Sequence, residues 1–406
     1  MEENGKKRME EPVRVLNYCE KWQPGGIQKI QALLAEELQG KPYQMDVYVS
    51  EQNTEAFVDS IRKTGAGFFV TLSQQYSSPV RRMLANMRAL SKILAEKHYD
   101  IVHFNICQGV ELVYLWEAKR AGISIRIAHC RNNGLGAGGK SRYIKQMAHN
   151  LCKHLFQFCP TIRLANSEMA AGWMYPKKWM EKGAVQILDN GIDTERFRFD
   201  PKIREQVRNE YQLNGRFVIG HVGHFSYQKN HEFVIRIFYE YQKKHPDAFL
   251  LLVGVGKSQE SIRKMAYDLK IENSICFAGE TELPERFMFA MDLFLFPSRF
   301  EGFGNVLVEA QTAGLPCLTS ADVIPEKVKM TDEYIALSLD CSVEEWIEKL
   351  EELRQKRKPR TDHVRETCAH GFDIQRMIFD VRQIYADALK NSLGNERGGI
   401  RKEEMV

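Results

Sequence analysis

Short apolar runs alternate with amphipathic helical stretches along most of the 406 residues, and the alternation starts twice. Residues 13–16, 44–49, 100–104 and 125–128 carry the first series, and residues 217–220, 249–253, 274–277 and 293–296 the second. Strand-length runs separated by helices are the pattern of parallel βαβ units, so the chain predicts an α/β protein of two doubly wound Rossmann-like domains. The expected division is a charged leader at 1–12, a first domain at 13–195 and a second at 196–370, with the linker near 193–214. Ligands in such sheets lie beyond the carboxyl ends of the strands, which points to an active site facing both domains across a cleft.

Composition narrows the function by exclusion. Lys plus Arg at 57 against Asp plus Glu at 53 leaves +4, too little to imply nucleic acid. Nine cysteines occur without a Cys-x-x-Cys pair, so neither a zinc site nor a disulfide framework is indicated, and a reducing cytoplasm is expected. The charged start has no signal-peptide core, and no apolar run approaches the roughly 20 residues that span a bilayer.

Residues 296–316 read as an apolar strand, a glycine turn and a helix start. Gly302 and Gly304 lack Cβ atoms, so the amides of Phe303, Gly304 and Asn305 can approach an anion where the helix dipole attracts it. Two glutamates flank this seat for a diphosphate. A carboxylate beside a diphosphate is unfavourable unless it holds something else, and hydroxyls are the obvious candidates. Glu309 suits a ribose diol, and Glu301 the hydroxyls of whatever the diphosphate carries, which together describe a sugar nucleotide. The same residues also fit a plain strand-to-helix turn ended by Gly314 and Pro316.

Here the sequence resembles the retaining glycosyltransferases of family four, which have the two-domain GT-B architecture. Their signature of two glutamates with seven residues between is matched by Glu301 and Glu309. Further pieces follow in order: Pro24-Gly25-Gly26-Ile27, Asp100-Ile101-Val102-His103, Arg126-Ile127-Ala128-His129, Asn190-Gly191-Ile192-Asp193 with Arg196-Phe197, and Val222-Gly223-His224 leading to Lys229-Asn230. The match covers roughly residues 12 to 390 and is close to the branch making bacterial capsule and exopolysaccharide. It implies a helix at 371–390 crossing back to the first domain; residues 391–406 read as a charged, frayed tail.

Breaking an anomeric bond to a diphosphate calls for charge stabilisation on the leaving group, which Lys229 and the glycine-turn amides can supply. The family usually has an arginine where this chain has His224, a shorter and only partly cationic group. The resemblance implies that His129 contacts the donor sugar, with a loop-anchoring histidine as the other reading. Gly25 and Gly26 would admit backbone to the diphosphate or the acceptor. Glu280 and the backbone around Glu282 and Leu283 lie where similar enzymes read the base; these residues leave uracil, guanine and adenine open, and a UDP-sugar is the expected donor. Many members have histidine where Asn105 stands. No Asp-x-Asp occurs, so no metal cofactor is expected. Retention of anomeric configuration is implied by the family alone.

The stretch from Ala118 to Ser167 has no acidic residue, and Tyr143, Ile144, Met147, Leu151, Leu155 and Phe158 recur in it at helical spacing among lysines and arginines. A basic amphipathic helix suits an anionic membrane surface, where a polyprenyl-diphosphate-linked glycan acceptor would lie, and it equally suits a core-facing helix with solvated lysines. Two nucleotide motifs fail: Gly256-Lys257-Ser258 lacks the first glycine of a Walker loop, whose place is Leu251, and Gly134 to Gly139 lacks the downstream acid of a dinucleotide site. A glycosyltransferase is therefore expected, with a sugar-nucleotide epimerase or hydrolase, or a non-catalytic sugar-binding subunit, as rivals.

Overall fold

The computed structural model describes residues 12–22, 26–40, 42–55, 57–71, 78–135 and 140–403. Gly25 and residues 136–139 lie outside them, while Gly26 opens the helix Gly26–Leu38. Two compact units emerge. One comprises the chain up to Leu135, Arg142–Asp189 and everything from Gln375; the other includes Asn190–Ile374.

The first unit holds a seven-stranded parallel sheet in the order β3-β2-β1-β4-β5-β6-β7. Its strands are β1 (Val13–Trp22), β2 (Tyr43–Gln52), β3 (Phe68–Val70), β4 (Ile101–Ile106), β5 (Ile125–Cys130), β6 (Ile162–Ala165) and β7 (Gln186–Ile187). Both faces are covered, which is why β4 is buried at all six positions. Asn105 of β4 lies beside His129 of β5 in the register.

The second unit holds a six-stranded parallel sheet in the order β10-β9-β8-β11-β12-β13. These are β8 (Phe217–Val222), β9 (Ala248–Val253), β10 (Ile275–Gly279), β11 (Leu293–Phe296), β12 (Cys317–Ser320) and β13 (Tyr334–Leu337). Leu251 sits in β9, buried. In both sheets the strand order reverses at the first strand of the unit, the switch point at which ligands bind in sheets of this kind.

Three boundary expectations need correction. Residues 193–214 are no linker: Phe197 and Val207 are buried in the second unit's core, and Pro201–Glu210 is a helix capped by Asp200. The division falls instead after Asp189, because Ile192 exchanges backbone hydrogen bonds with Phe372 and Ile374 at 2.8 Å each. The frayed tail is helix as far as Glu403, within Ile374–Glu403. No proline follows Pro359, and extending an existing helix is far easier than starting one.

Candidate functional site

In the second unit the expected residues gather where β8 and β11 end. Beyond Val222 the absence of a side chain at Gly223 matters, since a Cβ there would stand 3.2 Å from Lys229 Cγ. The lysine stem thus lies across the strand end, its ammonium 4.6 Å from the centre of the Phe296 ring. Lys229 Nζ donates to Glu301 Oε1 at 2.6 Å, and Ser298 Oγ donates to the same oxygen at 2.6 Å. The two loops are stitched together by Gln228, whose amide donates to Phe300 O at 2.9 Å while its carbonyl accepts from Arg299 N at 2.8 Å. Both charges are largely shielded, with side-chain exposures of 17% and 8%. The sequence reading gave Lys229 and Glu301 separate tasks; the structure pairs them and leaves Oε2 outside both bonds.

The glycine turn follows directly. Gly304 takes φ +93°, a left-handed conformation, as the residue preceding the helix Asn305–Thr312. The side chain of Asn305 is held by Asn190, Nδ2 to Oδ1 at 2.9 Å, which leaves its backbone amide as the group the helix start can offer. Phe303 is a core residue, edge-on to Phe372 at 5.2 Å, and can contribute only backbone. Glu309 is buried on the first turns of that helix, and Gly302 precedes Phe303 in the turn.

Glu280 and Leu283 are exposed on the loop after β10. Arg196 anchors this loop, donating through Nε to Glu285 at 2.9 Å and through its terminal nitrogen to the Glu282 carbonyl. Sequence reasoning quoted Arg196 in a motif without seeing this function, and it missed Ser298 altogether. His224 is half-buried after β8. Its neighbours His221 and His231 are fully enclosed: His221 bonds Leu295 O at 2.8 Å, and burial pushes its imidazole down to about 4.

In the first unit His129 is the last but one residue of β5, wholly buried. Its Nδ1 lies 3.0 Å from His103 Nε2, and His103 Nδ1 lies 2.7 Å from the Tyr385 hydroxyl. Burial, reinforced by Arg131, holds both imidazoles well below the usual histidine range, so both are neutral. Asn105 is equally internal, accepting from Arg131 Nε at 2.7 Å and donating to Asn17 at 2.6 Å. Nearby Glu111 was invisible to sequence reasoning: Oε1 accepts from the amides of Cys107 and Gln108, Oε2 has no partner among the described residues, and burial pushes the carboxyl up.

The helix Lys140–Leu155 presents its apolar stripe outward. Tyr143, Ile144, Met147, Leu151, Leu155 and, just beyond, Phe158 are each more than half exposed. What packs inward is polar: His149 stacks on Trp173 at 3.9 Å and accepts from Gly109 N, and Lys153 donates to Trp173 O at 2.6 Å. The core-facing reading of this stripe is thereby overturned.

Two doubly wound parallel units, one carrying a lysine–glutamate pair beside a glycine-capped helix start, define a GT-B glycosyltransferase. Two family models match in succession, Glycosyltransferase Family 4 over residues 24–196 and Glycosyl transferases group 1 over residues 203–367. The chain belongs to the family 4 glycosyltransferases. It is 26% identical over 375 residues to EpsF of Bacillus subtilis (strain 168), provisionally named a glycosyltransferase, covering 92% of this chain and 96% of that one. It is 21% identical over 382 residues to the Escherichia coli UDP-Gal:alpha-D-GlcNAc-diphosphoundecaprenol alpha-1,3-galactosyltransferase, covering 90% and 95%. Anabaena Alr3699/HepE, solved in complex with UDP and glucose, shares the fold with TM-score 0.74 at 17% identity, covering 92% of this chain and all of that one. The protein is thus a glycosyltransferase of glycan biosynthesis.

Proposed function

We propose that this enzyme moves a sugar from a UDP-sugar to a lipid-linked glycan in surface polysaccharide synthesis, with retention and without a metal. The observation that carries the reading is the Lys229–Glu301 pair, 2.6 Å apart, beside the amides that Gly304 frees at the helix start. The β-phosphate sits against Lys229 and those amides, with His224 alongside. Glu301 offers Oε2 to hydroxyls of the donor sugar, Glu309 receives the ribose diol, and the loop of Glu280 and Leu283 meets the base. From the first unit, His129 contacts the donor sugar, and Gly25 and Gly26 approach the donor or acceptor through backbone.

In the reaction the anomeric C–O bond to the β-phosphate breaks as the acceptor hydroxyl attacks from the same face. The acceptor proton leaves on the departing phosphate oxygen, and Lys229 and the amides stabilise the charge that develops there. Uridine is supported by the UDP in the Anabaena structure and by the donor named for the E. coli relative. That relative's name supports a polyprenyl-diphosphate acceptor as well.

The exposed stripe from Tyr143 to Phe158, flanked by exposed Arg142 and Lys145, supports docking on an anionic membrane surface. Among the described residues no helix is long and apolar enough to cross a membrane. The test is turnover against a panel of nucleotide sugars in EDTA, with and without a polyprenyl-diphosphate glycan. Acceptor-dependent release of UDP from one donor supports the proposal. Full donor turnover without acceptor points to an epimerase or hydrolase, and binding without release to a non-catalytic subunit.

A further inference from the structure

The imidazoles of His103 and His129 stand in line with the Tyr385 hydroxyl, and all three side chains are essentially shut off from solvent. Tyr385 belongs to the helix Ile374–Glu403, which Arg382 fastens to the Glu37 carbonyl at 2.6 Å and Tyr385 itself packs edge-on against Tyr43. The charged group facing the array is Arg131, whose cation opposes protonation of either ring. Each imidazole therefore carries one proton, and a chain of neutral donors and acceptors has only two polarities.

In the first, Tyr385 donates to His103 Nδ1, His103 donates from Nε2 to His129 Nδ1, and His129 holds its proton on Nε2. In the second every arrow reverses, and the Tyr385 proton has no acceptor among the described residues. His129 Nε2 is buried without a partner among the described residues in either case. The first polarity leaves one unmet group and the second leaves two, one of them a buried hydroxyl donor. Each polarity leaves one buried donor unmet, and the second strands the Nε2 lone pair of His129 as well, so the first polarity prevails.

We infer that Tyr385 and His103 are positioning residues that lock His129 as its Nε2–H tautomer, making it a hydrogen-bond donor to a ligand oxygen and not a base. This rests on the reading above that His129 contacts the donor sugar, whose hydroxyl or ring oxygens are the acceptors such a donor selects. A neutral ring protonated at Nε2 has no lone pair on that atom with which to take a proton from an acceptor hydroxyl.

The test is two-bond 1H–15N correlation on full-length, 15N-histidine-labelled protein, with His129 assigned by the signals lost in His129→Gln. The inference expects the His129 proton on Nε2 in the wild type, and a proton on Nδ1 overturns it. Tyr385→Phe keeps the ring and removes the hydroxyl. It should shift His129 towards the Nδ1–H tautomer and raise KM about tenfold, with kcat changed less, for whichever UDP-sugar turns over. An unchanged tautomer in that variant overturns the relay. If the wild-type tautomer is Nε2–H but adding that UDP-sugar leaves the His129 signals unmoved, the relay stands and the donor-contact reading fails.

Discussion

The two units keep their polar groups in opposite states. The second unit places a formal ion pair, Lys229 with Glu301, at a strand end where part of each charge still meets solvent. The first places neutral imidazoles, a phenol and amides inside the sheet, kept neutral by burial with the Arg131 cation reinforcing it. A cation held near solvent can change partners when a phosphate arrives. A neutral buried array cannot, because charging it is opposed by desolvation. The first arrangement suits stabilisation of developing charge, and the second suits orientation of a group that stays uncharged.

Breaking the charged half should have the largest effect. Glu301→Ala is expected to lower turnover about a thousandfold, because it removes the sugar contact and leaves Lys229 without its carboxylate. A fully active variant in the donor-turnover assay would end the site assignment. Lys229→Met should cost about a hundredfold in kcat, read by UDP release under saturating donor, since it withdraws charge that matters most as the phosphate departs.

Acid probes the buried imidazoles of both units. Burial holds His103 at about 3 and His149 and His221 at about 4, whereas an unfolded chain takes up these protons near 6.5. Folded values lie below unfolded ones, so this stability is complete above about pH 6.5 and is lost as pH falls towards 4 and 3. Urea titrations at pH 7 and pH 5 should differ by about 2 kcal/mol for each such histidine. Equal midpoints would show that these rings are charged in the folded protein.

Smaller effects sharpen the comparison. Ser298→Ala removes one of the two bonds to Glu301 Oε1 and should reduce kcat/KM about tenfold, leaving the ion pair in place. Met147→Asp combined with Leu151→Asp should abolish sedimentation with vesicles rich in anionic phospholipid. Since both residues are already exposed, the melting midpoint should hardly move.

Much of the fold was legible because strand periodicity and length survive in β1, β2, β4, β5 and β8 to β11. β3 and β7, of three and two residues, are too short to carry a pattern. The helix Pro201–Glu210 looked like linker because only Ile203 and Val207 break its polar run. Spacing of the glutamates and lysine made the second unit's residues visible, but not the contact between Lys229 and Glu301, 72 positions apart. Tyr385 lies 282 positions from His103, and no local pattern connects them. Helical period in residues 140–155 revealed that an apolar face exists, not which way it points. That depended on His149 and Lys153 finding partners at Trp173.

The first unit takes its final helix from beyond the whole of the second. During synthesis the ribosome delivers β1 to β7, then all of Asn190–Ile374, and only then Tyr385 and its helix. The second unit can fold as soon as it emerges, whereas the first must wait in an incomplete form with His103 lacking its phenol. An arrested chain would thus carry a finished second unit and an unlocked histidine pair, so His129 acquires its orientation among the last events of translation.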